Sequence, residues 1–222
     1  MTAQPTYRSG VAYDSADAHL ADSDAVMAEL VRQLGPITPP DIGAPPDLFG
    51  ALIMAIVRQQ LAAAAATAIY DRLLRYFGGH VPAPGALLSA GPDLRTTAGL
   101  SHAKERALRA LAQQVEDGDL DLDRLPSRPD DEVLRSLTSV TGIGEWTAGV
   151  FMMFRLQRPD ILLAGDLGIR KAAQLAYRLA ELPRPKAVEV IATPWRPYRT
   201  RGCLYLWASL PSGPRQAAGN EH

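Results

Sequence analysis

Apolar residues recur three and four positions apart along almost the whole of this 222-residue chain, and no β-branched stretch of useful length alternates apolar with polar. Leu108, Leu111, Ala112 and Val115 form one such face. A chain with that single periodicity buries its apolar residues by laying helix on helix, so the expected fold class is all-α. The pattern predicts helices over residues 24–34, 47–61, 62–77, 104–115, 130–137, 145–156, 168–179 and 198–210. Glycine and proline punctuate it at Gly35-Pro36, Pro39-Pro40, Pro45-Pro46, Gly78-Gly79, Gly91-Pro92 and Pro183, which read as short connections rather than linkers. Residues 2–14 and 212–222 read as frayed ends. The expected organisation is a helical segment over 1–46 packing on the C-terminal lobe, one helical lobe over 47–125, a second over 126–210 and a flexible tail over 211–222. A cleft is expected between the lobes.

Several classes of function are excluded or disfavoured at once. With 47% hydrophobic and 21% charged residues the chain can build a packed core. Its longest apolar run, Leu48 to Val57, is broken by Arg58-Gln59-Gln60, far short of the roughly 20 residues that a membrane span requires. The opening residues do not read as a secretory signal, so a cytoplasmic location is expected. One cysteine, Cys203, and four scattered histidines cannot assemble a disulfide framework, a cysteine-ligated zinc site or an iron-sulfur cluster.

The net charge of −1 hides an asymmetry. Residues 1–50 hold 2 basic and 7 acidic side chains, residues 51–130 hold 9 of each, and residues 131–222 hold 12 and 8. A C-terminal basic surplus suits a local polyanion-binding face, although on charge alone a mixed solvated surface is the favoured reading.

The most informative segment runs Leu137-Thr138-Ser139-Val140-Thr141-Gly142-Ile143-Gly144-Glu145-Trp146-Thr147-Ala148: a helix, a tight turn with two glycines, and a second helix. Two glycines around one apolar residue let the backbone approach a ligand closely, and the amides opening the second helix carry the positive end of its dipole. That is the construction of a phosphate grip. A dinucleotide fingerprint would need a preceding strand and a third glycine, where this chain has a helix and Thr147.

After a suitable interval comes Ile161-Leu162-Leu163-Ala164-Gly165-Asp166-Leu167-Gly168. Hairpin and aspartate together resemble the helix-hairpin-helix (HhH-GPD) DNA glycosylases. Ala55-Ile56-Val57-Arg58-Gln59-Gln60-Leu61 resembles their duplex-inserting junction, and Gly99-Leu100-Ser101-His102-Ala103-Lys104 resembles the loop before the next helix. Trp195-Arg196-Pro197-Tyr198-Arg199 and Leu204-Tyr205-Leu206-Trp207 resemble the closing helix of the 3-methyladenine DNA glycosylase II branch. The resemblance covers residues 47–210.

It implies a monofunctional glycosylase of base excision repair that hydrolyses the N-glycosidic bond of alkylated bases flipped from duplex DNA. The lobe over 47–125 would carry the intercalating junction, and that over 126–210 the hairpin and the catalytic aspartate. Relatives that also cut the backbone carry a lysine at the position of Trp146, and an indole cannot attack C1′. Asp166 is the implied catalytic carboxylate and also reads as a helix N-cap. Trp146 and Trp207 are the implied aromatics for a cationic base. Val150, one turn beyond Trp146, replaces an aromatic found in some relatives and implies a roomier pocket.

Gln60 is the implied wedge, with Gln59 its neighbour. Relatives often have glycine and serine where this chain has Arg58 and Ala62. The backbone amides of Gly142, Gly144 and Thr147 are implied to hold phosphate, supported by Arg170 and Lys171, and the carbonyls of Thr138, Val140 and Ile143 to hold a structural Na+ or K+. The implied partner is double-stranded DNA containing alkylated bases, met by a monomer at the bacterial nucleoid and not at a membrane. Tyr198, Tyr205 and Trp195 read as packing residues. Two rival readings are a non-catalytic DNA-damage binding protein using the same cleft and a helical scaffold with the hairpin in its core.

Overall fold

Four of the described α-helices start where the sequence supplies a side-chain acceptor. In the computed structural model, which describes residues 10–39 and 47–211, Asp24 caps α2 (Ala25–Leu34), Asp47 caps α3 (Leu48–Arg58), Ser101 caps α7 (His102–Glu116) and Asp166 caps α10 (Leu167–Ala176). Each cap takes a first-turn amide that the helix itself cannot satisfy. Pro84 and Pro185 open α5 (Pro84–Leu88) and α11 (Pro185–Ile191), where a missing N–H costs nothing. The remaining helices are α1 (Gly10–Ser23), α4 (Ala63–Tyr76), α6 (Leu94–Ala98), α8 (Asp130–Thr138), α9 (Glu145–Phe154) and α12 (Arg199–Ser209), with 3₁₀ turns at Leu122–Ser127 and Thr193–Trp195. No strand occurs among the described residues, so the fold is all-α as expected. No described helix is long and apolar enough to cross a membrane.

The chain separates into two compact units, one formed from 1–42 with 157–222 and the other from 43–156. In the second unit α3 is the central element. Leu52, Ile53, Ile56 and Val57 are completely buried, and α3 packs against α4, α7 and α9. In the first unit α12 packs on α1, α2 and α10, around Leu20, Met27, Ile169, Ala173, Cys203 and Leu206. Trp195 and Tyr205 are completely buried, in keeping with packing roles.

These boundaries differ from the expected ones. The second break falls after residue 156 rather than 125, so the hairpin groups with α3–α7 and not with Asp166. The N-terminal helices pack on α12, and the expected boundary at 46 lies outside the described residues. Helix α1 replaces part of the supposed frayed stretch 2–14, whereas residues 2–9 and the tail 212–222 lie outside the described residues.

Helix α1 was hard to see because its inward face is not purely apolar. Asp17 is buried between Ala16 and Leu20, and its carboxylate takes two hydrogen bonds from the fully buried Arg201, at 2.6 and 2.8 Å. A second polar tie holds α2: Asp24 accepts from the Val26 and Met27 amides on one oxygen, and from Tyr177 Oη (2.5 Å) and Trp195 Nε1 (3.0 Å) on the other. Burial, and then the Asp24 carboxylate, push the Tyr177 hydroxyl well above its ordinary pKa.

Candidate functional site

In the second unit two tight turns lie side by side. Helix α3 stops at Arg58, three residues short of the expected end. The chain then passes through Gln59 (φ −51°, ψ 127°) and Gln60 (φ 57°), and the Leu61 N–H donates to the Arg58 carbonyl at 3.2 Å. This is a type II turn with glutamine at the position that favours glycine. Left-handed backbone costs a non-glycine residue roughly 1–2 kcal/mol. Gln60 is exposed at the apex and Leu61, beside it, is 39% exposed.

The hairpin turn has the same form. The Ile143 N–H donates to the Val140 carbonyl at 3.0 Å, and Gly142, with φ 90°, takes the glycine position. A Cβ on Gly142 would sit 2.5 Å from Ala107 Cβ on α7, so the turn lies directly on that helix.

Gln59 joins the two turns. Its side-chain amide donates to the Gly142 carbonyl at 2.9 Å and to Thr147 Oγ1 at 3.0 Å. The expected wedge junction and the expected phosphate grip are therefore one construction. Gly142→Ala is expected to cost roughly 2–4 kcal/mol, combining left-handed strain with overpacking against Ala107. Gly144→Ala meets nothing within 4 Å and is expected to leave stability nearly unchanged. Thermal unfolding of the two variants checks this contrast.

Gly144 caps α9 without a side-chain acceptor, so the cap residue leaves the first-turn amides untaken by any side chain of its own. Thr147, in that turn, is buried. Trp146 is 46% exposed, an unusual state for an indole with a purely packing role, and Val150, one turn on, is half-buried. Thr138 turns its hydroxyl back to the Leu134 carbonyl at 2.8 Å. The Val140 carbonyl keeps a second lone pair beyond the turn bond.

The first unit carries Asp166. Its Oδ1 accepts the Ile169 N–H at 2.8 Å as the cap of α10 and the Trp207 Nε1–H at 3.0 Å from α12. Two donors on one oxygen fix the carboxylate in orientation. Asp166 and Trp207 are half-buried. A Cβ on Gly168 would meet Asp166 Oδ1 at 3.0 Å and Trp207 Cδ1 at 3.3 Å, so the close approach of indole and carboxylate relies on glycine there.

Arg170 is half-buried and donates from Nε to the Pro183 carbonyl at 2.7 Å, whereas Lys171 is exposed. Both residues belong to the unit of Asp166, and Gly142, Gly144 and Thr147 belong to the other.

The bond of Trp207 to Asp166, the stitching by Gln59 and the packing at Gly168 are not legible in the sequence. The first two are long-range contacts with no local signal. Gly168 was visible only as a glycine two residues beyond the aspartate.

Residues 53–197 match the family model described as HhH-GPD superfamily base excision DNA repair protein. The chain is similar to DNA-3-methyladenine glycosylase 1 of Schizosaccharomyces pombe, with 29% identity over 194 residues that span 86% of this chain and 85% of that one. Among solved structures, a DNA-3-methyladenine glycosidase from Bacillus halodurans superposes with a TM-score of 0.79 at 31% identity, covering 95% of this chain and 94% of the other. The S. pombe 3-methyladenine DNA glycosylase in complex with abasic DNA superposes with a TM-score of 0.77 at 28% identity, covering 87% and 95%.

Proposed function

The chain belongs to the HhH-GPD superfamily of base excision DNA repair proteins, and from that membership we propose that it is a monofunctional DNA glycosylase for alkylated bases. It acts on duplex DNA as a monomer and leaves an abasic site. The observation that carries this reading is the Asp166 carboxylate, held by two N–H donors on Oδ1 in the motif position of the catalytic aspartate.

Breaking the N-glycosidic bond builds positive charge on the deoxyribose, and a fixed carboxylate stabilises that charge without having to reorganise. A water oxygen bonds to C1′ as the C1′–N bond breaks. The water's proton passes to the carboxylate or to solvent. A ring-alkylated purine is already a cation and leaves as a neutral base with the bonding electrons, so no second acid is required. Trp146, exposed and electron-rich, and Trp207 offer faces for a cationic base, and Val150 leaves room beside Trp146. With an indole at the position of the relatives' lysine, no amine is offered to C1′ and strand cleavage is not catalysed.

The amides of Gly142, Gly144 and Thr147 grip a phosphate, Arg170 and Lys171 make further phosphate contacts, and Gln60 fills the gap left by the flipped base. Extrusion costs a few kcal/mol and is easiest for damaged pairs. The carbonyls of Thr138, Val140 and Ile143, neutral oxygens around the hairpin turn, suit Na+ or K+, which would stiffen the turn without entering the chemistry.

The test is chromatographic detection of free 3-methyladenine or 7-methylguanine released from methylated duplex DNA. Release supports the enzyme. Lesion-dependent binding without release would instead select a damage-binding protein.

A further inference from the structure

Lys104 breaks a local rule. It stands in the first turn of α7, where the helix dipole disfavours a cation. Its ammonium does not turn to solvent but donates to the Val57 carbonyl, 47 residues away, at 2.7 Å. Burial pushes its pKa below the usual lysine value. The ammonium is partly withdrawn from water at the C-terminal end of α3, where a cation is favoured.

Three successive carbonyls there need donors as α3 ends. Ile56 receives the N–H of Gln59, the residue that ends α3, at 3.3 Å, and Arg58 receives the Leu61 N–H at 3.2 Å, which closes the Gln60 turn. Val57, between them, receives Lys104. Ala107, one turn further along the same face of α7, is the surface on which Gly142 rests. A single helix thus sets both turns: Lys104 anchors the root of the strained Gln60 turn, and Ala107 supports the hairpin turn that Gln59 ties to it.

We propose that Lys104 is a positioning residue for base extrusion, holding the α3 C-terminus so that Gln60 stays in its left-handed conformation, aimed as the wedge. This rests on the reading of Gln60 as the intercalating side chain. A lesion in single-stranded DNA leaves no gap in a duplex to be filled, so the ratio of excision from duplex to excision from single-stranded DNA isolates the wedge from the rest of the machinery.

The experiment measures that ratio for wild type, Gln60→Ala, Lys104→Met and Lys104→Arg, together with fluorescence of 2-aminopurine placed beside the lesion, which reports unstacking whether or not the base is cut. Lys104→Met is expected to lower the ratio by about tenfold, the scale of one charge-assisted hydrogen bond. It should also lower the 2-aminopurine signal, and Lys104→Arg should restore most of both. A Lys104→Met variant that loses duplex and single-strand excision in equal proportion, or neither, while Gln60→Ala shows the duplex-specific loss, overturns the proposal and leaves the wedge reading standing. Absence of a duplex-specific loss in Gln60→Ala removes the wedge reading, and this proposal with it.

Discussion

Exchanging Asp166 for asparagine is expected to slow excision of an alkylated base by a factor of about 10³ in single-turnover assays, the scale of removing one preorganised electrostatic stabiliser. Asparagine has the same size and is as good an N-cap as aspartate, so its amide oxygen keeps the bonds from Ile169 N and Trp207 Nε1. The negative charge is lost, and the second oxygen, an acceptor, becomes an NH2 donor. The thermal midpoint should stay within about 3 °C of wild type, because a conserved cap leaves the folding free energy almost unchanged. Binding to lesion DNA should persist. A variant that excises within tenfold of wild type would remove Asp166 from the chemistry and leave it as a helix cap.

The largest expected loss of stability follows Arg201→Met. The guanidinium is completely buried, donates to both oxygens of Asp17 and to the Ile37 carbonyl at 2.6 Å, and lies 5.0 Å from the centre of the Tyr205 ring. Burial is the largest single influence and works against its charge, but the Asp17 carboxylate and Tyr205 together raise the pKa. Methionine leaves the Asp17 carboxylate buried without its partner, which costs about 3–5 kcal/mol. Thermal unfolding should show a fall of roughly 10 °C for a chain of this length. Removing both charges, as Asp17→Leu with Arg201→Met, should recover much of that loss, since an apolar pair leaves no orphaned ion. A double variant no more stable than Arg201→Met alone would show that the site tolerates no apolar replacement.

What could be read from the chain depended on the range of the interaction. The 3.6-residue periodicity of α3, α7 and α10 arises within each helix, and the all-α class followed from it. Helix α1 escaped because Asp17 interrupts its apolar face, and the partner that makes that burial tolerable, Arg201, lies 184 residues away. The end of α3 was placed three residues late because neither glycine nor proline marks the Gln60 turn.

At the candidate site, Asp166 as a cap was legible from its own surroundings. Its bond to Trp207 was not, since it joins residues 41 apart. The hairpin glycines showed that the backbone turns, but only the packing of Gly142 on Ala107 shows what it turns against. The same reason explains the misplaced lobe boundary: the hairpin belongs with α3–α7 through contacts that no local pattern records.

The account is tested most directly by a 5′-labelled duplex carrying one alkylated base, incubated with the wild-type protein and resolved on a denaturing gel with and without hot alkali. Hydrolysis of the N-glycosidic bond alone predicts a full-length strand before alkali and a break at the lesion after it. A strand still intact after alkali would contradict glycosylase action, and a break already present before alkali would contradict the monofunctional mechanism.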